Sequence, residues 1–67
     1  MTVSKEEFQS MVEDMTVDLI QLVMEREGLS LPQAFRKVYN SSIYEALQNP
    51  DSQLYYQSPG YVYSCLK

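Results

Sequence analysis

Four carboxylates, Glu7, Asp14, Asp18 and Glu25, are the first residues in this chain with the means to do chemistry. Carboxylates that converge can hold a cation or share a proton. Spacings of seven, four and seven spread these four along one side of a helix instead, which is the pattern of a solvated acidic face. There is no histidine, so the imidazole base of the usual nucleophilic triads is missing. A single cysteine, Cys65, rules out a disulfide within the chain and, without histidine, a Cys/His zinc site. Cys65 is expected to act as a small buried hydrophobe in a reducing compartment. No glycine-rich phosphate loop occurs. The residues therefore assign no catalytic, cofactor or metal role and point to a non-catalytic protein.

The other residues with chemical character are the tyrosines. Residues 54–67, LYYQSPGYVYSCLK, hold Tyr55, Tyr56, Tyr61 and Tyr63, four of the six in the chain. A tyrosine ring buries a large apolar area while its hydroxyl keeps a polar partner. Such rings finish a small core or form a binding patch, and tyrosine is enriched at interfaces for the same reason. Tyr55, Tyr56 and Tyr61 are the candidates for a patch.

Sixty-seven residues imply one domain, 1–67, with a thin margin of stability. A hydrophobic fraction of 45% is too high for a disordered tail. Nine acids against five bases give a net charge of −4. This balance argues against nucleic acid, which needs clustered bases, and Arg36-Lys37 is the only adjacent pair. An acidic surface suits a basic protein face better. Neither a signal peptide nor an apolar run of membrane-spanning length is visible, so a cytoplasmic protein is expected, with no membrane and no small-molecule substrate.

Apolar periodicity then supplies the elements that must position these groups. Ser4-Lys5-Glu6-Glu7 reads as a capping box, with Val3 and Phe8 as a hydrophobic staple across it. Phe8, Met11, Val12, Met15, Leu19, Leu22 and Val23 recur at helical spacing in an arc of roughly 120°. The pattern stops at Gly28, a natural left-handed C-terminal residue. One helix over residues 5–27, about 35 Å long, is predicted. Ser30-Leu31-Pro32-Gln33 caps a second helix with Leu31, Ala34, Phe35, Val38 and Tyr39 as its apolar face. Asn40-Ser41-Ser42 breaks it, and residues 42–48 give two further turns before Pro50.

The first helix has a second apolar stripe, Val17, Ile20 and Met24, on the side away from the main arc. Either the rest of the chain wraps around this half, or another subunit covers it. In the tail, two Tyr-rich segments flank Ser58-Pro59-Gly60, which permits two arrangements. A hairpin fits the strand preference of Tyr and Val, but Pro-Gly favours a turn that splays tight hairpins. A short helix capped by Ser58 with Pro59 in its first turn is preferred, with Val62, Tyr63 and Leu66 inward and Cys65 beside them.

Ser30 and Ala34, Tyr39-Asn40-Ser41, Leu47, Leu54-Tyr55, Gln57-Ser58-Pro59 and Tyr61-Val62-Tyr63 resemble a family of small bacterial proteins of unknown function. The resemblance covers roughly residues 30–66. Members are sometimes encoded beside toxin-like ADP-ribosyltransferase domains, so it implies an antitoxin-like or accessory role and carries over no site residues. The whole reading is an all-α domain, one long N-terminal helix packed by three shorter helical segments. Its expected function is binding a protein partner or a second copy through Val17, Ile20, Met24, Tyr55, Tyr56 and Tyr61. The alternative is a helix-turn-helix DNA-binding regulator using Arg36 and Lys37, against which stands a second helix, SIYEALQ, with an acid and no base.

Overall fold

A computed structural model describes residues 4–66. Four α-helices follow in order, α1 (Lys5–Glu27), α2 (Leu31–Tyr39), α3 (Ser42–Leu47) and α4 (Pro59–Leu66). Two 3-10 turns, Pro50–Ser52 and Leu54–Tyr56, join α3 to α4. No strand occurs among the described residues, so the tail is helical and not a hairpin.

Each element begins where a side chain takes up an amide that the helix leaves orphaned. The Ser4 hydroxyl accepts from the Glu7 amide at 3.1 Å. Ser30 completes its box: its hydroxyl accepts from the Gln33 amide at 3.4 Å, and its own amide donates to Gln33 Oε1 at 3.0 Å. Ser41 caps α3 through the Tyr44 amide at 3.3 Å, and Ser58 caps α4 through the Tyr61 amide at 3.3 Å. Gly28 ends α1 at φ 66°, its amide donating to the Met24 carbonyl at 3.0 Å. Val3, expected to staple onto Phe8, lies outside the described residues.

The core forms along α1. Val12, Met15, Leu19, Ile20 and Val23 are buried against Ala34 and Val38 of α2, Leu47 of α3, and Val62 and Tyr63 of α4. Leu19, Val23, Val38, Leu47 and Val62 are fully enclosed. Truncating an enclosed leucine to alanine costs about 2–5 kcal/mol, a large part of the stability of so small a domain. Thr16 is the buried polar residue among those described, and its hydroxyl donates to the Val12 carbonyl at 2.7 Å.

One carboxylate ties three helices together. Glu27, at the end of α1, accepts from Lys37 Nζ of α2 on Oε1. Its Oε2 accepts from the Tyr63 hydroxyl of α4 at 3.0 Å. Arg26 lies over the Tyr63 ring, 5.8 Å from its centroid. The Tyr63 hydroxyl is raised above the usual phenol range, first by desolvation and then by its bond to Glu27.

Two expectations are corrected by this packing. Ile20, placed on the outer stripe, is buried at 7% exposure, whereas Val17 one turn earlier is 55% exposed. At about 100° per residue, Ile20 sits about 60° from Val23 on one side and about 60° from Val17 on the other. It is the edge position, and the helices packed along α1 enclose it in the core. Cys65, expected to be buried, is exposed. It lies roughly 100° around α4 from Leu66, so when Val62, Tyr63 and Leu66 turn inward the thiol turns out.

Candidate functional site

The outer face of α2 is the most unusual surface of the molecule. Leu31, Phe35 and Tyr39 are 56%, 47% and 39% exposed, while Ala34 and Val38 beside them are fully buried. This corrects the expectation that all five residues form one inward face. At about 100° per residue the five span about 140°, and a nine-residue helix laid on one neighbour buries only the inner part of such an arc. Spacings of four place the three exposed side chains in one row, about 12 Å long.

Aromatic rings continue this row across the molecule. Phe35 stacks on Tyr39 with centroids 4.1 Å apart and planes 20° apart. Tyr39 meets Tyr44 of α3 at 4.4 Å. Tyr44 then forms one wall of an open groove of about 360 Å³, lined also by Lys5, Phe8, Gln9, Val12, Glu13 and Gln48. On its other wall Phe8 packs edge-on against Tyr55 at 4.8 Å, and Tyr55 against Tyr56 at 5.2 Å. Six of the eight aromatic side chains thus lie along one band that crosses the groove.

Glu13 is the acid of this band. It lines the groove with Tyr44, and its charge helps raise the Tyr39 hydroxyl above the usual phenol range, after burial and the neighbouring Tyr44. Val17, one turn further along α1, shares the flank of Glu13. Among the described residues the one ion pair is Lys37–Glu27, so Glu13, Asp14, Asp18 and Glu25 form none. A second, shallower depression lies between Asp18, Gln21, Leu22 and Glu25 of α1 and Pro59-Gly60 of α4.

The residues read from the sequence are thereby divided. Tyr55 and Tyr56 join the band, Tyr55 half-buried and Tyr56 exposed. Val17 is exposed on α1, and Met24 is half-buried against the core. Ile20 belongs to the core. Tyr61 is 53% exposed on α4 and makes none of the ring contacts of the band. Sequence reasoning missed Leu31, Phe35, Tyr39 and Tyr44, and the excess width of the α2 apolar arc was the signal that could have found them. Among the described residues no three Cys, Asp or Glu side chains gather as a metal site, and no helix is long and apolar enough to cross a membrane. The chain matches no protein-family model, no curated protein and no solved structure.

Proposed function

We propose that this protein is a small non-catalytic interaction module that binds a protein surface through the outer face of α2 and the adjoining aromatic band. One observation carries the reading: Leu31, Phe35 and Tyr39 stand in a row on α2 with large parts of their apolar surface in water. Scattered exposed hydrophobics are ordinary, but a contiguous row joined to stacked rings marks a contact site. Helical residues at this spacing are the usual anchors of helix-mediated recognition. An antitoxin-like or accessory role, as implied by the resemblance of the second half, is one setting for such a surface.

The helix-turn-helix alternative draws less support. α3 has six residues with Glu45 and no base, and Lys37 on α2 is engaged by Glu27. Little positive charge is left to face phosphate.

A photo-reactive phenylalanine analogue at position 35 tests the reading in cells. Covalent adducts to protein, to a second copy or to another chain, are expected there and not with the same probe at Asp51, an exposed position in a 3-10 turn. Equal labelling at both positions, or none at 35, would overturn it.

A further inference from the structure

We infer that the α2 face is the seat of a cationic amphipathic helix supplied by a partner chain. The inference rests on the interaction reading above and adds the chemistry of the partner. The first support is charge. The apolar row ends at Tyr39 and Tyr44 beside Glu13. Among the described residues Glu13 has no ion pair. The whole chain carries −4, so two copies approach against a long-range repulsion. A partner with basic residues flanking its apolar stripe meets no such penalty.

The second support is a matching arrangement elsewhere in the same molecule. At the end of α1, Glu27 sits beside Tyr63, and the chain itself provides the cations, Lys37 on the carboxylate and Arg26 over the ring. Halfway along the helix, Glu13 sits near Tyr39 and Tyr44 with no cation paired to it. Lys5 lines the same groove without pairing with Glu13, and Arg36 lies about 60° around α2 from Tyr39. Stacked tyrosine faces attract Lys and Arg through their ring quadrupoles, and the attraction grows when the site is covered. A row of about 12 Å accepts apolar anchors from two to three turns of a partner helix.

Two synthetic helical peptides of equal length test this by amide NMR on the intact chain. Both carry leucines at i, i+3 and i+7, one with Lys and Arg at the flanking positions and one with Glu there. The cationic peptide is expected to shift amides of α2, Glu13 and Tyr44, and to bind at least about tenfold more tightly than the acidic one. Phe35→Ser should weaken it by about tenfold, with circular dichroism confirming that the variant is folded. Glu13→Gln should weaken it about two- to fivefold at low salt.

Four results would overturn the proposal. Equal binding of both peptides removes the cationic partner and leaves the apolar surface standing. The same residues shifting with protein concentration alone would make a second copy the occupant, which also leaves the interaction reading standing. Shifts centred on Asp18 and Glu25 put the cationic site elsewhere. No shifts at all, together with a silent photo-probe at position 35, would remove both the partner and the interaction reading.

Discussion

Glu27 and Glu13 stand on the same helix, each close to a tyrosine, and their surroundings differ. Around Glu27 every group finds a partner within the chain: a lysine, a phenol, and an arginine over the phenol ring. Tyr63 is consequently drawn in to 6% exposure. Around Glu13 the rings stack on one another, no base is paired, and Tyr39 and Phe35 remain in water. The difference follows from what the converging elements carry. α2 and α4 bring Lys37 and Tyr63 to Glu27, whereas the groove beside Glu13 receives Tyr44 from α3 and nothing from α4. A small chain has too few elements to cover a long helix evenly. The less covered stretch is where another molecule can add contacts at little cost.

The comparison can be broken most forcefully along the flank of α1. Ile20→Glu places an unpaired charge among buried residues and is expected to cost about 3–5 kcal/mol, enough to unfold most of the population. Val17→Glu, one turn away, should change stability by no more than about 0.5 kcal/mol. Chemical denaturation followed by circular dichroism measures both. Equal loss would mean that the flank is closed at Val17 as well, and would remove it from the surface.

A smaller effect is expected from the two phenols. Tyr63→Phe removes the hydroxyl that donates to Glu27 and should cost about 1 kcal/mol. Tyr39→Phe keeps its stacked ring and should cost less, about 0.5 kcal/mol or under. Reversal of that order in thermal melts would show that the Tyr39–Tyr44 contact, and not the Glu27 centre, holds the fold.

The smallest effect is alkaline. Tyr63 and Tyr39 both have hydroxyls raised above the ordinary value of 10.0. A raised phenol favours the protonated form in the folded state, so its contribution is complete below about pH 10 and is lost as pH climbs through the raised value. Stability should fall in that window, and Tyr63→Phe should fall less steeply. Tyrosinate absorbance should show a fraction ionising above the ordinary value, and replacing Tyr39 and Tyr63 by Phe should remove it. An unchanged titration curve in the double variant, apart from its lower amplitude, would contradict the assignment.

Most of the fold could be read from local chemistry. Ser4, Ser30, Ser41 and Ser58 mark helix starts because each offers a short hydroxyl to an amide of the first turn, and Gly28 marks an end because it accepts a left-handed turn. The preference for a helix after Ser58 over a hairpin rested on the same reasoning. Burial was harder to read, because it depends on which neighbour arrives. Ile20 and Val17 are both β-branched aliphatics one turn apart, and only the packing of the neighbouring helices separates them. Phe35 and Tyr39 look like core residues by type, yet α2 carries more apolar arc than its neighbours cover. The aromatic band joins α2, α3, the groove and the 3-10 turn Leu54–Tyr56, so no single periodicity reveals it.

The Glu27 centre also bears on the order in which a growing chain can settle. Lys37 closes onto Glu27 over ten residues and Tyr63 over thirty-six. The shorter loop costs less entropy to close, so the α1–α2 hairpin can form before α4 docks. Until α4 docks, Val62 and Tyr63 are absent from the seam against α1, and the Tyr63 phenol has not reached the carboxylate. Chains truncated after Gln57 should accordingly be cut by protease along α1 more readily than the full chain.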